Sequence, residues 1–275
     1  MPIQHHPLHP TLTLNSPHPH HQNIILTRPR PSDAAPTIPA FNQPAIYLHL
    51  TGPPFPYTQE SFDAFFHDVL DRKAKIAAAE LWDARAAEEQ GGPRSWVEAL
   101  PFPSIREVAE GICDGFGGGE REGLVRRNGE RRTGDPGVEW EVGFWLLPTH
   151  HNRGIMPAVL QTLLSDFAIP YMNVHTLIGE YLEYNLASKR VFEKCGFGFE
   201  GVVEGVETLA AGKRARAGRV SGAGTGQGEG LGGEGHALAG RGEGRRREFA
   251  LGESGVSRGG GAWVGSRSAG VNACE

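Results

Sequence analysis

Apolar and other side chains alternate from Glu141 to Leu147: Val142, Phe144 and Leu146 fall on one side, Glu141, Gly143, Trp145 and Leu147 on the other. A period of two predicts a strand, and Pro148, which has no amide hydrogen to donate, should end its pairing. Helical spacing follows in Met156, Val159, Leu160, Leu163, Leu164 and Phe167, bounded by Pro157 in the first turn and Pro170 at the far end. Between strand and helix lies His151-Asn-Arg-Gly154, where the glycine permits close approach of backbone to a ligand. Unpaired amides at such a helix start, together with the helix dipole, favour an anion, and a diphosphate is the natural guest.

The pattern repeats downstream. Val174 to Ile178 reads as a short buried strand, and Asn185 can cap a helix whose apolar face is Ala187, Val191, Phe192 and Cys195. Gly196 suits the left-handed position that stops it, and Phe199 to Val203 supplies another strand. Upstream, Asn23 to Thr27 predicts a strand, Ser32 or Asp33 caps the next helix, and Thr58 with Ser61 opens an Ala-rich helical run from Tyr57 to Glu89. Trp96 and Ile105 to Val108 suggest a second strand.

The two motifs together, Trp140 to Met156 and Asn185-Leu-Ala-Ser-Lys-Arg-Val-Phe-Glu-Lys-Cys-Gly-Phe197, resemble the GNAT (Gcn5-related N-acetyltransferase) superfamily. The branch they are most similar to is that of the ribosomal-protein N-terminal acetyltransferases and fungal relatives. The family loop reads Gln/Arg-x-x-Gly-x-Gly/Ala, against which this chain has His151, Gly154 and Met156. The resemblance implies an α/β (α+β) GNAT fold, a mixed and mostly antiparallel sheet with helices on both faces, and acetyl-CoA as co-substrate. Implied cofactor-binding positions are Phe144, Trp145, Leu146, His151, Asn152, Arg153, Gly154, Ile155, Met156, Asn185 and Ser188. The acceptor would be a primary amine, on a protein N-terminus or a small molecule, attacking the thioester directly.

That reaction needs a base for the amine proton and an acid for the leaving thiolate. Glu141, on the strand face opposite Val142 and Phe144, is the candidate base; an exposed strand carboxylate is the plainer reading. Many members of the family carry Tyr where this chain has Phe192, so the acid must come from Ser188, Tyr184 or water. Arg153, Lys189 and Arg190 are candidate partners of the CoA phosphates. Phe55, Tyr57 and Phe66 are candidate acceptor-pocket residues, with core packing as their alternative. Cys113, Cys195 and Cys274 show no metal-ligand spacing, Cys195 falls on an apolar helix face, and no metal site is expected.

The chain has 275 residues with 39 Gly and 20 Pro, and its foldable part reads as one domain over residues 23–205. Residues 1–22 hold six of the 12 His and several Pro, and are expected to be a disordered leader. The Gly-, Arg- and Glu-rich stretch 111–137 reads as a mobile insertion and 206–275 as a low-complexity tail. No convincing final strand stands out, Glu248 to Leu251 being short. A net charge of −5 argues against general nucleic-acid binding, although the Arg clusters keep an RNA-tethering tail open as an alternative, beside a CoA-binding module that has lost catalysis. No apolar run approaches the roughly 20 residues of a membrane span. Few cysteines and no export signal point to the cytoplasm, or the nucleus. Oligomeric state is not legible.

Overall fold

The computed structural model describes residues 3–107, 114–115, 128–129, 131–208, 213 and 243–251. Val108, Cys113 and Cys274, most of the 111–137 insertion and much of the 206–275 tail lie outside the described residues. In chain order the elements are β1 (Ile3–Gln4), β2 (Thr11–Thr13), β3 (Ile24–Thr27), α1 (Ala34–Phe41), α2 (Pro44–Tyr47), α3 (Gln59–Phe65) and α4 (Arg72–Glu89). There follow β4 (Ser104–Glu107), β5 (Asp114–Gly115), β6 (Glu139–Val142), α5 (Ile155–Leu163), α6 (Ile169–Met172), β7 (Thr176–Leu182), α7 (Leu186–Lys194), β8 (Gly198–Thr208) and β9 (Glu243–Leu251). π-helical turns at Phe66–Asp71 and Leu164–Ala168 join α3 to α4 and α5 to α6.

These strands form two sheets. The first is antiparallel throughout in the order β1-β2-β3-β4-β5; the second has the order β6-β7-β9-β8, with β6 and β7 its parallel pair. Helices lie on both faces of the second sheet. Phe144 meets Phe192 of α7 at 5.3 Å between ring centroids, while its neighbour Trp145 meets Phe41 of α1 at 4.7 Å. The alternation read from the sequence therefore sends successive side chains to opposite layers. Thr58 caps α3 by accepting from the Ser61 amide at 3.2 Å, and Asn185 caps α7 by accepting from the Ser188 amide at 3.2 Å, both as the sequence predicts. Asp33 works differently from a simple cap: its Oδ2 accepts from the Arg30 amide at 2.8 Å and from the buried Arg106 guanidinium of β4 at 2.8 Å.

Three expectations change. Residues 1–22 are not a detached leader, because the first sheet starts at Ile3 and not at Asn23. Leu12 pairs with Leu26, and Ile3, Leu12 and Leu14 are buried in the main core. Burial of one such side chain contributes roughly 1.5–3 kcal/mol, which anchors a segment whose composition reads as unstructured. Trp96 lies outside any strand, where its ring stacks under the Arg94 guanidinium and closes on Gly134. The final strand exists: Glu248 to Leu251 are the end of β9, which enters between β7 and β8 and pairs antiparallel with both.

One helical run, Ile155–Met172, has a mean hydropathy of 1.2 over 18 residues, enough by length and composition to cross a membrane. Val159, Leu160, Leu163 and Phe167 within it are buried in the main core, so packing accounts for its apolarity.

A chain ending at Leu251 is expected to retain a cooperative thermal transition. One ending at Gly242 loses β9, its pairing with β7 and β8 and the buried Phe249, and its transition should collapse in a circular-dichroism melt. Equal melting of the two would remove β9 from the sheet.

Candidate active site

β6 pairs with β7 from Glu139 opposite Thr176 to Val142 opposite Gly179, and the ladder stops there although β7 continues to Leu182. The chain beyond Val142 leads through Phe144, Trp145 and Leu146 to a short 3-10 turn, Pro148–His150, and then to the loop before α5. Side chains of Phe144 and Trp145 are half-buried against other rings and Leu146 is buried in the core. Leu146 can therefore meet a ligand only through its backbone.

The loop turns by two left-handed residues, Asn152 at φ 60° and Gly154 at φ 72°. Such a conformation suits Asn and Gly for different reasons, a short polar side chain in one and no Cβ in the other. Gly154 is the N-cap of α5, and the first i to i−4 bond of the helix runs from the Ala158 amide to the Gly154 carbonyl at 3.3 Å. The amides of Ile155 and Met156 thus stand at the open end of the helix while their side chains are buried, at 1% and 3% exposure. His151 to Gly154 are exposed. An exposed concave backbone with amides at a helix N-terminus is chemically fit for a phosphate oxygen.

Polar side chains of the loop have partners within the protein. His151 donates from Nε2 to the Leu146 carbonyl at 2.9 Å, closing the loop on itself. Arg153 pairs with Glu107 of β4 at 3.1 Å, and buried His150 reaches the same carboxylate at 2.9 Å. Hydrogen bonds from Arg153 and then His150 hold the Glu107 carboxyl below its usual pKa range. Lys189 similarly pairs with Glu193 at 3.6 Å along α7.

Glu141 is half-buried on β6 opposite Ile178 and borders a cavity of about 640 Å³, whose walls include Phe65, Val69, Ile76, Trp140 and Leu160. Ser188 is half-buried one turn into α7. Tyr184 is otherwise engaged: its hydroxyl donates to the Leu48 carbonyl at 2.7 Å, and burial pushes its pKa up to about 12. Phe192, where the sequence resemblance implies a tyrosine in many relatives, is fully buried against Gly179. Of the aromatic pocket candidates, Tyr57 and Phe66 are packed with Phe62 and Ala34 in a separate small core, and Phe55 meets Tyr47 in a tilted ring contact at 4.8 Å. Cys195 is buried with its thiol pKa raised to about 12 by desolvation.

Two groups at this end of the molecule carry no signal in the sequence. His49, just past α2, lies 5.7 Å ring to ring from Tyr184, and burial, then the nearby His151, lower its pKa. An imidazole held neutral in this way can accept a proton at neutral pH. His21, in the segment read as a leader, sits against the α5 loop. Neither follows a local pattern; only the fold brings them here.

Residues 23–198 match the family described as an acetyltransferase (GNAT) domain. A comparison with curated proteins finds no match. Among solved structures, the chain is similar to the acetyltransferase (GNAT family) from Bacillus anthracis, with 13% identity, 84% of this chain and 96% of that one covered, and a TM-score of 0.48. It is similar also to RimJ of Mycobacterium smegmatis in complex with CoA-disulfide, at 18% identity, 84% and 82% coverage and a TM-score of 0.45. A third likeness is to the microcin C7 self-immunity acetyltransferase MccE in complex with acetyl-CoA and AMP, at 13% identity, 84% and 92% coverage and a TM-score of 0.45. The domain match, which spans well over half of the sequence and contains both motifs, decides the assignment: this chain belongs to the GNAT acetyltransferase family.

Proposed function

We propose that the protein is an acetyl-CoA-dependent N-acetyltransferase that transfers the acetyl group to a primary amine. The observation that carries this reading is the loop from His151 to Met156, an exposed double left-handed turn feeding the start of α5. Backbone amides there would receive the diphosphate of CoA. Asn185 and Ser188 lie at the start of α7, after β7, where the pantetheine arm would pass if it followed the departure of the chain from β7 beyond Val142.

In a direct transfer, the amine nitrogen bonds to the thioester carbonyl carbon and the carbon–sulfur bond breaks. The amine proton passes to a base, and the sulfur takes a proton from an acid or from water, leaving an amide and free thiol. A backbone amide in the Phe144 to Leu147 run would stabilise negative charge developing on the carbonyl oxygen. Glu141 is the proposed base because it borders a cavity of about 640 Å³ whose walls combine apolar side chains with charges of both signs, Glu80, Glu98 and Glu139 beside Arg72, Lys73 and Arg131. Ser188 or water serves as the acid, since the Tyr184 hydroxyl is directed at Leu48.

Replacement Gly154→Asp sets a carboxylate at the helix start and a side chain at φ 72°, and should reduce CoA affinity at least tenfold in a calorimetric titration. Gly154→Ala separates the two effects, adding only the roughly 1–2 kcal/mol of a left-handed non-glycine residue. Unchanged affinity in the Asp variant removes the loop from CoA binding. Glu141→Gln should lower kcat by about 100-fold with CoA affinity kept, the size expected for loss of a general base. A rate and pH profile like wild type would shift the role elsewhere, with His49 the next imidazole to replace.

A further inference from the structure

The family match begins at residue 23, yet the segment just before it is built onto the α5 loop. The Asn15 amide donates to Thr162 Oγ1 of α5 at 3.0 Å. His21, 2% exposed, has its Nδ1 2.7 Å from Ser16 Oγ and its Nε2 2.9 Å from the Arg153 carbonyl oxygen. A carbonyl can only accept, so Nε2 carries the hydrogen; in the neutral ring Nδ1 then accepts from the Ser16 hydroxyl. The same ring is the nearest neighbour of Gly154, 3.7 Å from where a Cβ would stand.

We propose that His21 is a positioning residue for acyl-CoA binding, which fixes the Arg153–Gly154 peptide so that the Gly154 amide faces the anion. A trans peptide is planar, with its carbonyl and amide hydrogen on opposite sides. Holding the Arg153 oxygen toward His21 therefore directs the Gly154 N–H away from the N-terminal segment, to the exposed side of the loop. Without that hydrogen bond the peptide joining Arg153 to left-handed Gly154 can rotate, and the loop must order itself when the ligand arrives. The inference rests on the diphosphate reading of the loop. It adds that residues outside the matched domain complete the site.

The test uses the full chain with CoA as the calorimetric probe, and steady-state kinetics with acetyl-CoA and an amine acceptor. His21→Leu keeps an apolar body and loses the donor; His21→Gln keeps a side-chain N–H that can reach the Arg153 carbonyl. His21→Leu should weaken CoA binding about tenfold and raise KM for acetyl-CoA, with kcat at saturation and KM for the acceptor held. His21→Gln should recover most of the loss. Ser16→Ala, which leaves the ring in place and removes its orienting partner, should weaken binding by a smaller factor and decides the matter if His21→Leu does not fold. Wild-type affinity in both His21→Leu and Ser16→Ala overturns the inference, and so does a His21→Gln as weak as Leu, which would assign the effect to ring packing. Absence of CoA binding by the wild-type protein overturns the diphosphate reading itself, and is seen before any variant is compared.

Discussion

Insertion of β9 between β7 and β8 is the constraint on which the second sheet depends. β8 pairs through β9, and the stretch of β7 beyond its contact with β6 is paired on that side by Glu180 to Leu182 opposite Glu248 to Arg246. Phe249 stacks on Phe192 and meets Tyr181 and Phe199 at steep ring angles, so the same strand that completes the ladder also fills the core beneath α7. Strand order here is not chain order, and the sheet closes only when residues near 250 have returned to lie beside residues near 180. A pairing of that sequence separation demands loop closure before it gives any stabilisation, and it therefore forms as part of the whole sheet.

Local rules made a good part of the fold legible. The turn and helix from Pro148 to Leu163 follow from a glycine and two prolines, whereas the alternation from Glu141 to Leu147 overlaps β6 only at Glu141 and Val142; the caps at Thr58 and Asn185 follow from side-chain chemistry within three residues. Distant pairing was not legible. β9 hides because its partners, not its own residues, make it a strand, and Gly- and Arg-rich surroundings mask the three apolar residues Phe249 to Leu251. β1 and β2 hide for a related reason: Thr11-Leu-Thr-Leu14 alternates as a strand should, but histidines and prolines around it carry the composition of an unstructured segment. For the candidate site, loop and helix start were readable, while His49 and the Tyr184 to Leu48 bond arise only where the ends of α2 and β7 meet.

Glu107 places a carboxylate within reach of a loop read as an anion site, which at first sight is unfavourable. The geometry resolves this. Glu107 accepts from both His150 and Arg153, and its lowered pKa reports that these partners stabilise the ionised form. Arg153 keeps 35% of its side chain exposed, so it joins the last residue of β4 to the loop while still facing solvent. An arginine fixed in this way presents its charge with less rotamer freedom left to lose on binding. The two sheets are thus tied together at the candidate site by a charge-assisted contact that also orients the loop.

Phe192 shows how packing and chemistry compete at one position. Its ring lies so close to β7 that a Cβ on residue 179 would stand 2.1 Å from Cε1 and 2.3 Å from Cζ, and only glycine leaves room for it. Ring contacts with Phe144, Tyr181, Phe197 and Phe249 surround the rest. A tyrosine hydroxyl at that end of the ring would extend from Cζ along the packed backbone of β7 and would need a partner there, at a cost of about 1–3 kcal/mol if left unsatisfied. The phenylalanine therefore goes with Gly179 as a packing pair, and in the proposed reaction the proton for the departing sulfur would come from water or from a group beside the helix start. There Ser188 stands half-buried on the same helix, one turn closer to the Asn185 cap.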